Sequence, residues 1–473
     1  MSGWIKNIFD KIKDLNVSVD SYKQDSIIQS LPTVAYVNKA KKLIDERQFD
    51  KAEEVLQEAL DISNQDSCAY KYLGKIYEMR NNFQDAVNYY EKSAKLNPQD
   101  KEIWLRLGMC RLNSKMYDTA LDAFEQANKV TPLNTDVYTG WGMTLMKLKK
   151  YALARDKFIT ASQISKYNFT AILLSAIMEI RLCDYESAEI KLNFLSKVAP
   201  NESSTYEYAN LKLLKSDYKA AEKYAKKSIS INKQMLPAYL VLGEIYSIQK
   251  DLENTENTFQ SAIDNDLESE ILHFEWGKAY IRLFEFEKAQ KHFELSLQKN
   301  CEYTNAKIGL ALTKAYNSDF TIVDELKEKH GDNVYIQEAI GLERLAAGKT
   351  EDAIEMFKKA LRTDSKQTYI YLHLAKAYQN INNKDKIREN FEKFVLENPK
   401  YPQGFITYAK WLISIEDFAD AQRKLRKAEK LSNNNEILNL LFYSSYRLVK
   451  GNICEYNIKE TISVAEKTKS LGN

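Results

Sequence analysis

The sequence predicts an all-α chain, a solenoid superhelix of about twelve helical hairpins. Three observations carry that expectation. Only 14 Gly and 7 Pro occur among 473 residues, so few positions break a helix. Large-small pairs recur at multiples of about 34 residues, at Leu73-Gly74, Leu107-Gly108, Trp141-Gly142, Leu242-Gly243 and Trp276-Gly277. With each glycine set at position eight, alanine recurs at position twenty, as Ala52, Ala86, Ala120, Ala154, Ala188, Ala221, Ala289, Ala353 and Ala421. A fixed period of this length marks stacked pairs of helices.

The remaining columns define each element. Positions four, seven, eight and eleven share one face of a first helix, and positions twenty, twenty-four and twenty-seven share one face of a second. Position eleven holds Tyr77, Leu145, Tyr246, Tyr280, Tyr378 and Leu412. Position twenty-four holds Leu56, Tyr90, Phe124, Phe158, Leu192, Phe259, Phe293, Phe357, Phe391 and Leu425. Small residues at eight and twenty let the backbones approach, and the large side chains fill the space beside that crossing. An aromatic opens the second helix at position seventeen, as in Phe49, Phe83, Tyr117, Tyr151, Tyr185, Tyr218, Phe286 and Phe418. Pro98, Pro132, Pro200 and Pro399 end second helices at position thirty-two, while Pro32, Pro237 and Pro402 fall at the starts of first helices.

This pattern resembles the tetratricopeptide repeat family, most clearly in residues 101–134 with Trp104, Leu107-Gly108, Ala120, Phe124, Ala127 and Pro132 in the family's places. Hairpins are read at 33–66, 67–100, 101–134, 135–168, 169–201, 202–235, 236–269, 270–303, 304–333, 334–367, 368–401 and 402–435. Residues 1–32 then form an N-terminal amphipathic helix and linker, and 436–473 form capping helices. Hairpin 304–333 is short and lacks the alanine at position twenty, so a weak joint is expected there.

The totals narrow the function. With 44% hydrophobic and 28% charged residues the chain can bury a large core. A net charge of +2 disfavours a nucleic-acid partner, and with it a helical-repeat RNA binder. Cys68, Cys110, Cys183, Cys301 and Cys454 are far apart and odd in number, which favours free thiols and a cytoplasmic setting. No apolar run is long enough to span a bilayer, and no secretory leader is expected. His273, His292, His330 and His373 lack a His or Cys neighbour at ligand spacing, and no phosphate loop or nucleophile elbow occurs. No enzyme, cofactor, metal site or small-molecule substrate is expected. The lysine-rich stretches at Lys219–Lys227 and Arg423–Lys427 carry acids beside them, which suits solvated faces.

The resemblance implies that first helices line a partner-binding groove through positions two, five, nine and twelve. At position nine stand Lys75, Met109, Met143, Ile177, Asn210, Glu244 and Lys278, so the family's carboxylate clamp for chaperone tails has no counterpart beyond Asn210. The inner asparagine ladder of the O-linked N-acetylglucosamine transferases is also missing. Leu105, Met109, Leu112, Met143, Met146, Leu173, Ile177 and Ile180 instead make the groove apolar between 101 and 201. Such a surface suits an amphipathic helix or an extended peptide, with packing between neighbouring hairpins as the plainer role. The expected function is a protein-binding scaffold or adaptor. Residues 3–15 place Trp4, Ile5, Ile8, Phe9, Ile12 and Leu15 on one helical face. That helix has three candidate roles: capping the first hairpin, plugging the groove, or docking a peripheral assembly factor on a membrane surface.

Overall fold

The structure is a computed structural model that describes residues 21–432, 434–451 and 462–464. Among the described residues all regular structure is helical. The amphipathic segment 3–15 and Cys454 lie outside them. The chain divides into two compact units, Met1–Lys215 and Ser216–Asn473. Hairpin 202–235 contributes its first helix, Glu202–Leu214, to unit 1 and its second, Tyr218–Ile231, to unit 2.

The helices keep the sequence register. Ser67–Met79 is followed by Phe83–Leu96, Thr135–Lys147 by Tyr151–Ile164, and Pro402–Ser414 by Phe418–Leu431, so position seventeen opens the second helix each time. The turn between them has a repeated construction. Position fifteen is left-handed in all twelve hairpins, at Arg47, Asn81, Lys115, Lys149, Cys183, Ser216, Lys250, Phe284, Ser318, Gly348, Asn382 and Glu416. The next N–H reaches back to the carbonyl of position eleven, as from Asn82 to Tyr77 (2.9 Å) and from Lys150 to Leu145 (2.9 Å). This closes the first helix as a Schellman turn. Asn82, Asp184, Asp251, Asn383 and Asp417 then cap the second helix by accepting from the N–H three residues on.

Packing follows the columns. Every alanine named at position twenty is wholly buried, and every side chain named at twenty-four is buried. Phe124 shows why position eight is small. A Cβ on Gly108 would lie 2.8 Å from its ring, and one on Gly140 of the next hairpin would lie 2.7 Å from it. The ring is therefore held between two backbones. Tyrosine at position eleven ties neighbouring hairpins together: Tyr77 donates to Glu53 (2.6 Å), Tyr246 to Glu222 (3.0 Å) and Tyr280 to Glu256 (2.8 Å).

Unit 1 departs from the sequence reading at its start. Helix Ser21–Asp45 runs through Pro32, which was expected to open a helix and to follow a linker. A proline interior to a helix removes one hydrogen bond and crowds one carbonyl. No glycine lies between 21 and 45 to add a second break.

In unit 2 the second helix of hairpin 304–333 is Thr321–His330, 10 residues against 14 in Phe286–Lys299 and Thr350–Thr363. It buries Val323 and Leu326. These two nevertheless join an apolar cluster that extends from Tyr239 to Ile340. Hairpin 304–333 thus lies inside unit 2, and the division between units falls elsewhere. Helix Asn435–Gly451 follows the last hairpin and buries Ile437, Leu438 and Leu441. It stands where a cap was expected.

Candidate partner-binding groove

The groove positions of unit 1 fall into two classes. Leu112 and Ile180 are buried, each 9% exposed, by neighbouring hairpins. Leu105, Met109, Met143, Met146, Leu173 and Ile177 are half-buried. Leu105, Met109 and Met143 pack on the cluster around Phe124, and Met146 and Ile177 on the cluster around Phe158. Each of these side chains therefore serves the joint between hairpins and still presents apolar surface.

Two hollows lie on this face. One, of about 460 Å³, is lined by Leu105, Met109, Gly140 and Met143, with Glu78, Glu102, Arg106, Asp136 and Thr139 around it. Gly140, in its lining, packs directly on the Phe124 ring, which leaves no room for a Cβ. Arg106 is tied to Glu102 (2.5 Å) and Glu78 (3.2 Å), so much of the rim charge is already paired. The other, of about 330 Å³, is bordered by Ile177, Ile180, Arg181, Tyr206, Glu207 and Asn210. Burial pushes the Glu207 carboxyl up, against the opposing pull of Asn210 and Arg181. Asn210 Nδ2 donates to Glu207 Oε2 at 3.5 Å.

In unit 2 the chain engages part of this face itself, beside a further hollow of about 330 Å³ lined by Phe274, Lys278, Ile308, Val334 and Tyr335. Tyr316 Oη donates to Glu338 Oε1 at 2.5 Å, and His373 Nε2 lies 3.3 Å from the same oxygen. Burial, reinforced by the Glu338 charge, holds the Tyr316 hydroxyl well above its usual range. Phe284 leaves its turn to meet Tyr369 (5.0 Å), Phe394 (5.8 Å) and Tyr401 (4.7 Å between centroids). Phe286 stacks on Tyr316 at 4.1 Å and meets Tyr369 at 4.8 Å. Hairpins 270–303 and 368–401 therefore touch past the two hairpins between them, 304–333 and 334–367. Lys250 Nζ sits 3.8 Å above the Phe284 ring and donates to the Arg282 carbonyl. Burial, with the Arg282 charge adding to it, lowers Lys250 to about 8.

Two histidines that sequence spacing left unpaired come together. His273 Nδ1 is 3.2 Å from His292 Nδ1, and its Nε2 is 3.1 Å from Glu268 Oε1. The His292 ring lies 4.1 Å from that of Trp276, and burial pushes it down to about 3. Among the described residues no cluster of three or more His, Cys, Asp or Glu is arranged to hold a metal. Sequence reasoning also missed Glu338 and Phe284. Nothing in their local sequence signals partners this far away in the chain, Tyr316 and His373 for Glu338 and Tyr369 to Tyr401 for Phe284.

Paired helices in a 34-residue register, stacked in consecutive hairpins with a first-helix face of hollows, define a tetratricopeptide-type helical-repeat protein. The model of the tetratricopeptide repeat protein 21 C-terminal ARM domain matches residues 32–139. A chain of the APC/C hetero-tetramer Cut9–Hcn1 has the same fold, with a TM-score of 0.52 at 12% identity over 92% of this chain and 95% of that one. PilF of Pseudomonas aeruginosa aligns at 17% identity over 44% of this chain and 96% of its own, with a TM-score of 0.39. YrrB, described as a TPR protein with an unusual peptide-binding site, aligns at 19% identity over 39% and 96%, with a TM-score of 0.35. No curated protein sequence matches the chain.

Proposed function

We propose that the chain is a non-catalytic scaffold whose first-helix face in unit 1 holds a partner protein or peptide by apolar side chains. The observation that carries this reading is the hollow lined by Leu105, Met109 and Met143 over Gly140. It offers adaptable apolar walls of leucine and methionine. Free thiols at Cys68, Cys110, Cys183 and Cys301 support a cytoplasmic setting. The membrane alternative rests on residues 3–15, outside the described residues, and no observation favours it. No described helix is long and apolar enough to cross a membrane.

The test is a photo-crosslinking amino acid at Thr139, inside the hollow, in the full chain. Specific adducts should form and should vanish in Leu105→Glu with Met143→Glu, while the helical signal is kept and the melting temperature falls only by the loss of their contacts at the joint. Cooperative loss of structure in the double variant would make these residues purely structural, and adducts that survive it would place the partner elsewhere.

A further inference from the structure

The outer face of unit 2 carries an apolar cleft beside the lysine-rich segment that sequence alone assigned to solvent. It lies between the second helices Lys384–Glu397 and Phe418–Leu431 and encloses about 530 Å³. Phe405, Val395 and Pro399 line it, and Leu396 and Leu431 stand at its lips, 74% and 41% exposed. Lys424, Lys427 and Lys430 form one wall at a spacing of three, which keeps them on one helical face.

Among the described residues Lys424, Lys427 and Lys430 form no ion pair within 4 Å, and they outnumber the one carboxylate of the cleft, Glu392. Arg423 and Arg426 of the same helix are held by Asp420 (3.1 Å) and Glu429 (2.7 Å). Across the cleft Glu389 is shared by Lys386 and Lys393, both at 2.7 Å. The carboxylate lining the cleft, Glu392, accepts from Tyr408 Oη at 3.2 Å. The three lysines instead lie beside apolar surface, with Lys424 Nζ 4.6 Å from the Tyr408 ring and Lys427 Nζ 6.0 Å from the Phe405 ring.

The corresponding cleft of unit 1 shows what the period alone produces. There Trp104 Nε1 donates to the Pro98 carbonyl (2.8 Å), and Arg111 pairs with Glu91 (2.8 Å) across the lining. The architecture makes both clefts, and only the one in unit 2 combines exposed leucines with a one-signed wall.

We propose that this cleft binds an acidic amphipathic peptide segment of a partner protein, with leucine or phenylalanine side chains in the cleft and carboxylates along Lys424, Lys427 and Lys430. A purely electrostatic ligand would gain nothing from Leu396 and Leu431, and the balanced helix Lys384–Glu397 would interrupt its field.

The experiment selects a random displayed twelve-residue peptide library on the full chain, counter-selected on Lys424→Glu/Lys427→Glu/Lys430→Glu. Enriched peptides should combine Asp or Glu with Leu or Phe. Their affinity should fall at least tenfold in that variant, in Lys427→Glu/Lys430→Glu, whose side chains are exposed, and in Leu396→Ser. It should weaken as salt rises. Failure to enrich any peptide overturns the proposal, as does enrichment of peptides without acidic residues or equal binding to the variants. Phosphatidylserine vesicles and a single-stranded oligonucleotide are the control probes. Lysine-dependent binding of either, without a selected peptide, would replace the peptide with that ligand.

Discussion

Hairpins 101–201 of unit 1 and hairpins 270–401 of unit 2 share one backbone grammar and furnish their first-helix faces with different chemistry. In unit 1 the groove positions carry Leu105, Met109, Met143 and Ile177, half-buried and bordering open hollows. In unit 2 Lys278 and Tyr335 line a hollow of similar size, while Glu338 and His373 are engaged within the fold by Tyr316 and Tyr369. The repeat therefore sets a face without setting its use. Apolar, flexible side chains leave it open to a partner, whereas buried polar groups must find partners within the fold.

The comparison breaks most readily at Glu338. Glu338→Ala strips the half-buried Tyr316 hydroxyl of its acceptor and should cost about 2 kcal/mol. Denaturant unfolding, read by hydrogen exchange in hairpins 304–401, should show this loss, while Met109→Ala in unit 1 leaves that region unchanged. Equal losses there would mean the two faces are not used differently.

The contact between hairpins 270–303 and 368–401 depends on a ring held in a strained turn. Phe284 has φ 65°. Phe284→Ala should cost about 2 kcal/mol, and Phe284→Gly about 1 kcal/mol less, since glycine relieves the left-handed backbone. We propose that hairpin 304–333 remains the weakest element of unit 2. Amides of Thr321–His330 should exchange faster than those of Phe286–Lys299 and Thr350–Thr363, and Phe284→Ala should widen the gap. Equal protection in all three helices would remove the weak joint.

Acid should act on unit 2 through the histidine pair. His292 is held at about 3 when folded, so the unfolded chain takes up its proton first as pH falls below about 6.5. The stabilisation is complete above that pH and is lost as the folded value is approached. Between pH 7 and 5 it should decline by about 2 kcal/mol for this single proton. His292→Phe should flatten the slope over that interval, and an unchanged slope would assign the effect to other groups.

The smallest expected effect is a gain. Lys115 sits at φ 62° in the turn of hairpin 101–134. Lys115→Gly should stabilise that hairpin by about 1 kcal/mol by removing the clash of its Cβ with the backbone. A loss on thermal melting would show that the Lys115 side chain contributes more than its backbone costs.

Much of the fold was legible because it rests on local, repeated chemistry. Small residues at positions eight and twenty, a ring at twenty-four and an aromatic at seventeen fix which faces meet, and the structure keeps that register from hairpin to hairpin. The left-handed residue at position fifteen stayed hidden because only Gly348, Asn81 and Asn382 of the twelve are of the types that signal it. Surrounding hydrogen bonds impose the conformation on lysine, serine and phenylalanine alike. Pro32 misled in the other direction, since helix Ser21–Asp45 absorbs it.

The sequence by itself determined the hairpin, its length, and the positions of the groove residues, since these follow from side-chain size at helical spacing between neighbours in the chain. Only the tertiary structure decided that Leu112 is covered while Met109 and Met143 border a hollow. Only it brought Phe284 to Tyr401, His273 to His292 and three lysines to an apolar cleft. Those outcomes depend on how hairpins of unequal length pack, a property of the stacked array that no single repeat encodes.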